Sequence, residues 1–122
     1  RFEFLVPVLD ANTSFANTNA VLVTLSTPSG IKTKALFGFM ISGSITEATV
    51  LITSPDQTDT TPGASAAFSA RANFSGGGGT AFMAANYEIR TNTSAQIRLR
   101  CTTTQYYAIS TYGWEDYTLG GV

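Results

Sequence analysis

Histidine is missing from this chain, cysteine occurs once, and only 12% of the residues carry charge. Without histidine the usual general base, the usual activator of a serine nucleophile and the commonest metal ligand are gone. A single cysteine, Cys101, excludes an intrachain disulfide framework and points to synthesis in a reducing compartment; a zinc site would have to be built from carboxylates. Lys and Glu, common on helix surfaces, are scarce, so nothing in the composition favours helices. No apolar run approaches the roughly 20 residues needed to cross a bilayer, and the opening RFEFLVPVLD lacks the long apolar stretch of a signal peptide. The cations are Arg1, Lys32, Lys34, Arg71, Arg90, Arg98 and Arg100, and the net charge is -1. Phosphate binding needs a concentration of Lys and Arg, so nucleic acid is not an expected partner, and neither membrane insertion nor a cofactor is expected. Arg1 in place of an initiating methionine is what a fragment or processed product of a longer chain would show.

What the chain does contain is hydrophobic residues, 43% of the total, set among Ser, Thr, Asn and Gly. Thr and the aromatics suit the pleated surface of a sheet. The length of 122 residues fits one domain, 1–122, with a single core. Alternation predicts about eight strands and an all-β, two-sheet antiparallel sandwich, with a jelly roll first and an immunoglobulin-like sandwich second, since no Cys…Trp…Cys spacing exists. So little charge gives weak repulsion between copies, which suits assembly better than a dilute monomer.

Phe2, Phe4, Val6 and Val8 alternate with Glu3, Leu5 and Pro7, the signature of an edge strand limited near its proline. Asp10–Asn19 reads as a loop, Ala20–Leu25 as a strand, and Pro28-Ser29-Gly30 as a turn. Ile31–Ile45 has apolar residues on both faces, which predicts a central strand covered on each side and paired as a hairpin with Ala48–Thr53. Ser54–Ser65 reads as a long surface loop, Ala66–Phe74 and Thr80–Ile89 as strands joined by a Gly76–Gly79 turn. Ala95–Thr103 and Tyr106–Trp114 follow as part of a β-meander, with Cys101 inside in the Ile97, Leu99, Cys101 row.

Few groups can carry chemistry. Glu88, Glu115 and Asp116 are the one set of carboxylates that adjacent strands could bring together, and isolated surface acids are the plainer reading. A serine–lysine pair through Lys32 or Lys34 would need a desolvated lysine, whereas both stand by a polar turn. Asp56 and Asp59 lie among loop oxygens that resemble a calcium setting but lack its regular spacing, so a solvated turn competes with metal binding. Asn12, Asn73 and Asn92 head Asn-x-Ser/Thr triplets, which chance supplies in a chain this rich in Ser and Thr.

Two surface features remain. Arg98 and Arg100 point away from the Ile97, Leu99, Cys101 row, with Arg90 expected to join them from a neighbouring strand as a subunit or anion contact, or as a solvated face. Tyr106, Ala108, Ser110, Tyr112 and Trp114 are expected to share one face of the last strand. Tyr106, Tyr112 and Trp114 would then form an exposed row for glycan or protein, unless Trp114 plugs the end of the sandwich.

The segment Ile89–Asp116 resembles the C-terminal domains of bacteriophage tail-fibre and related virion appendage proteins, chiefly in Arg90-Thr91-Asn92-Thr93-Ser94, Gln96-Ile97-Arg98 and Gly113-Trp114-Glu115-Asp116. Where similar endings carry a basic cluster, this chain has Tyr117-Thr118-Leu119-Gly120-Gly121. The resemblance implies a non-enzymatic virion structural protein, on a tail fibre or as a capsid-surface decoration. It would be made in the host cytoplasm and assembled as a homotrimer with other virion proteins, with host-surface glycan as a possible contact. The competing reading is a monomeric carbohydrate-binding module using the three aromatic residues.

Overall fold

The computed structural model describes residues 1–15, 18–43, 48–62, 70–74, 81–103 and 105–116. Among them are the strands β1 (Phe2–Ser14), β2 (Val21–Thr24), β3 (Thr33–Gly43), β4 (Ala48–Thr53), β5 (Ala70–Phe74), β6 (Ala81–Arg90), β7 (Gln96–Cys101) and β8 (Tyr106–Asp116), and no helix. They make two antiparallel sheets of four strands, sheet A in the order β1-β8-β3-β6 and sheet B in the order β2-β7-β4-β5. Only the step from β4 to β5 stays within one sheet. That interleaving is the connectivity of a jelly roll and differs from the immunoglobulin order, in which the first two strands share a sheet.

The inner faces explain the choice. Ala35, Phe37, Phe39 and Ile41 of β3 and Tyr107 and Ile109 of β8 face Val50 and Ile52 of β4 and Ile97, Leu99 and Cys101 of β7 in one buried cluster. Each large apolar side chain buried there contributes about 1.5–3 kcal/mol. The expected β3–β4 hairpin is therefore wrong: β3 lies between β8 and β6, while β4 lies between β7 and β5. Placing the two apolar rows in opposite sheets lets each bury the other. The expected meander fails for the same reason, since β6, β7 and β8 fall in sheets A, B and A. The outer face of β3 is covered only in part, with Leu36 fully buried and Gly38 and Met40 half-exposed. The Gly76–Gly79 turn and the first residues of the expected Ala66–Phe74 strand lie outside the described residues.

Short connectors thus act as corners. Between β6 and β7 the Asn92 Oδ1 accepts from the backbone N–H of Ser94 (3.0 Å) and Gln96 (2.9 Å), an Asx turn that reverses the chain within a few residues. Asn92 Nδ2 also donates to Gln96 Oε1 at 3.1 Å, and Ala95 completes the corner in the left-handed region with φ 59°. The buried Thr91 hydroxyl accepts from Thr33 N–H at 3.1 Å, and Gly30, at φ 86°, donates its N–H to Thr93 O at 2.7 Å. The Thr-Asn-Thr-Ser element of the resemblance is a sheet-to-sheet corner.

The expected Asp10–Asn19 loop is also corrected, because β1 runs on to Ser14. Asn12, Thr13 and Ser14 are exposed on an edge strand, where polar side chains meet water while the backbone pairs with β8. Asp10 is the extra residue of a bulge between Leu9 and Ala11. Its carboxylate accepts from Ser26 N–H (2.7 Å), Ser26 Oγ (2.7 Å) and Thr111 Oγ1, tying β1 to β8 and to the segment after β2. Replacing it orphans the fully buried Thr111 hydroxyl as well as removing charge-assisted bonds. Asp10→Ala is expected to lower stability by about 2 kcal/mol, seen as a lower urea midpoint at unchanged slope; an unmoved midpoint would show that the clasp carries no weight.

Candidate functional site

The arginines of β7 are engaged within the chain. Arg98 reaches over the outer face of sheet B and donates to Gln57 O (2.7 and 2.8 Å) and Pro55 O (3.0 Å). Arg100 pairs with Asp59 at 3.0 Å. A planar guanidinium can bind two carbonyls at once, so Arg98 fixes the start of the loop after β4, which also closes on itself through Gln57 N–H to Ser54 O at 3.0 Å. Leu51, also on the outer face, sits across the ladders from Arg100 and Arg71 and is only 2% exposed, covered where long arginine stems can lie. Arg90 does not join this pair: it ends β6 in sheet A, in register with Lys34. The expected three-arginine stripe is therefore two separate features.

The aromatic row is broken by a bulge. Along β8, Tyr107, Ile109 and Thr111 point into the core as expected. Gly113 pairs with Leu36 and Thr111 with Phe37, which leaves Tyr112 as the extra residue and flips the phase beyond it. Trp114 consequently shares the face of its partner Ala35, the inner side, and stacks on Phe2 with centroids 5.6 Å apart. Tyr106 faces outward eight residues away, roughly 25 Å along the strand. Tyr106, Tyr112 and Trp114 form no common platform, and half-buried Trp114 closes the end of the sandwich. Gly113 permits this closure, because a Cβ there would collide with the carbonyl oxygen of Phe2.

The carboxylates do meet, around cations. Lys34 Nζ lies 2.8 Å from Glu115 and 3.6 Å from Glu88, while Arg1 contacts Glu115 at 3.3 Å and Glu3 at 3.1 Å. This ladder crosses the four strands of sheet A at one end. The hydrogen bond from Lys34, followed by its charge and that of Arg1, holds the Glu115 carboxyl below the usual carboxylate range. An acid kept ionised in this way is a poor proton donor at neutral pH, and the ammonium occupies the space between the two carboxylates. Lys32 is likewise paired, with Asp56 at 2.9 Å, so each of the two lysines sits against a carboxylate and not against a serine in these contacts. Asp56 and Asp59 bind different cations, and among the described residues no three His, Cys, Asp or Glu side chains converge on a metal position. Asp116 ends β8 opposite Thr33. Cys101 is fully buried, and burial pushes its thiol pKa up, away from a reactive thiolate.

What sequence reasoning passed over is the exposure of apolar side chains on the edge strand β1. Register with β8 is lost between Glu3 and Val8, and in that stretch Leu5 is fully exposed and Val6 is 73% exposed. Leu9, whose partner Ser110 places it on the outer face of sheet A, is 58% exposed. A signal was present: Leu5 falls out of phase with Phe2, Phe4, Val6 and Val8, so no single pleat phase can bury it together with them.

The lysine-centred ladder has a testable pH signature. Because the Glu115 pKa is depressed in the folded chain, its contribution to stability is present above the ordinary glutamate pKa and is lost as pH falls through the lowered value. Lys34→Met should raise the Glu115 titration toward the ordinary glutamate range, read from its side-chain carboxyl by NMR; a midpoint unmoved by the substitution would contradict the pairing. No protein-family model and no curated protein matches this chain.

Proposed function

We propose that this chain is a non-catalytic structural subunit that assembles with copies of itself, as a phage fibre domain or capsid-surface decoration. The observation that carries the reading is the apolar edge of β1, where Leu5, Val6 and Leu9 project into solvent at 103%, 73% and 58% exposure. An exposed edge strand bearing large apolar side chains is an association site, and natural monomers blunt such edges with charge. Here no charged residue lies between Glu3 and Asp10. Pro7, which lacks an N–H, interrupts open-ended strand addition along that edge, which favours a closed side-chain contact over fibril-like pairing. The low overall charge adds little repulsion between copies. The jelly roll is compatible with virion roles without implying them, since unrelated functions share the fold. The virion setting and trimeric symmetry follow from the resemblance in the last strands.

The monomeric carbohydrate-binding alternative loses its stacking surface, because the β8 bulge separates Trp114 from Tyr106. The paired carboxylates around Lys34 offer no free acid for a hydrolase. The assembly reading has a direct mutational test. Leu5→Asp combined with Val6→Asp should lower the association constant at least about tenfold in sedimentation velocity, equivalent to about 1.4 kcal/mol. Leu22→Asp, an exposed position in sheet B, serves as the control and should leave association unchanged. Equal sedimentation of wild type and the β1 double variant would remove this edge as the contact.

A further inference from the structure

We propose that a groove in the outer face of sheet A, centred on Gly38, receives the Leu5–Val6 stretch of β1 from a second copy of the chain. This rests on the assembly proposed above and names what the exposed edge meets.

The groove comes from small side chains in register. Leu9, Ser110, Gly38 and Asn86 form one row across β1, β8, β3 and β6, and Ala108, Met40 and Ala84 form part of the next. With glycine, alanine and serine on three adjacent strands, the surface sinks into a hollow of about 410 Å³. A cavity of roughly 150 Å³ takes a benzene-sized group, so two aliphatic side chains fit. Nothing in the fold requires the glycine. Gly38 is not in the left-handed region, and an added Cβ would meet nothing nearer than Asn86 Oδ1 at 3.4 Å and Ser110 O at 4.0 Å, both ordinary contacts. Glycine in a strand interior weakens the strand, and one that neither backbone nor packing demands marks a place where another chain approaches closely.

The edge of β1 fits that hollow. Leu5 is fully exposed and Val6 73% exposed, so their cover has to come from outside the described residues of their own chain. They lie where register with β8 is lost, between Glu3 and Val8, and they project from the sheet edge. Residues 4–9 carry no charge and neither does any residue lining the groove, so the contact desolvates no ion. Leu9 belongs to the exposed edge and stands beside Ser110 at the rim of the groove, so the uncharged surface runs unbroken from one to the other. Met40, flexible and half-exposed, can close around a branched side chain. Asn86 and Ser110 flank Gly38 without a side-chain hydrogen bond to any described residue, and both can meet the backbone of the incoming stretch. Edge and groove are different patches, so each copy offers its edge to one neighbour and its groove to another, which gives a ring where the rotation closes. A two-fold pair would instead set edge on edge or face on face.

The test is complementation between two variants of the full chain. Leu5→Asp combined with Val6→Asp removes the edge and keeps the groove; Gly38→Val fills the groove and keeps the edge. Ala84→Arg, at an exposed position of β6, blocks the groove without touching the core and decides the matter if Gly38→Val fails to fold. By sedimentation velocity each variant alone should associate at least about tenfold more weakly than wild type. An equal mixture of an edge variant and a groove variant should form a one-to-one pair. In that mixture the isotope-labelled edge variant should show saturable amide shifts at Gly38, Met40, Ala84 and Ala108. Association of both groove variants at wild-type strength would overturn the groove as receptor, and a mixture that stays monomeric would overturn the edge-to-groove contact. In either case association of the wild type would leave self-assembly standing. A wild type that is monomeric at every concentration would remove the assembly reading and this proposal together.

Discussion

The structure depends on one constraint: the apolar row of each sheet can be buried only by the row of the other. Among the described residues, Phe37, Phe39 and Ile41 are buried in one cluster with Val50, Ile52, Ile97 and Leu99, and those residues come from strands that alternate with the first set along the chain. Once the chain must cross the core at almost every step, its connectors must be corners. The corner chemistry then becomes visible in Asn92 between β6 and β7, in the buried Thr33 and Thr91 pair, and in the positive φ of Gly30 and Ala95. Tyr87 adds a polar link between layers, its hydroxyl donating to Arg71 O at 3.3 Å while half-burial pushes its pKa up.

The same division sorts the surface. Sheet B is covered over part of its outer face by the chain's own loop, with Arg98 and Arg100 consumed in holding it. Sheet A carries a ladder of ion pairs at one end, around Lys34 and Arg1. Surface ion pairs of this kind add little stability, so the ladder's main effect is to fix the relative positions of the strand ends. Beyond it the face is half-exposed Gly38, Met40, Ala108 and Ser110, and along its edge stand Leu5, Val6 and Leu9. A chain with so few charges that leaves an uncharged apolar edge in water is the physical ground for the proposed assembly.

Strand positions were legible because period-two alternation is a local property. The burial of Tyr107, Ile109 and Thr111, the inward placement of Cys101 and the edge position of β1 could all be read from side-chain order alone. Pairing was not legible, because β3 and β4 carry equally good patterns for a hairpin and for opposite sheets, and only the global core decides between them. The two bulges were hidden for a related reason. Asp10 looks like a loop residue because its carboxylate satisfies backbone and hydroxyl donors, and Tyr112 keeps the apparent alternation of β8 while shifting Trp114 to the other face. The arginines misled in a different way: their outward direction was right, but their partners are two carbonyls and a carboxylate of a loop about 40 positions earlier in the chain, a separation that no local pattern records.

The measurement that tests the central claim most directly is the solution mass of the full chain by light scattering over a dilution series. The account predicts a discrete oligomer, a trimer if the resemblance in the last strands extends to symmetry, that persists at low micromolar concentration and above. A monomer of 12.9 kDa at every concentration would contradict it, and the exposed apolar edge of β1 would then need a partner other than a second copy of this chain.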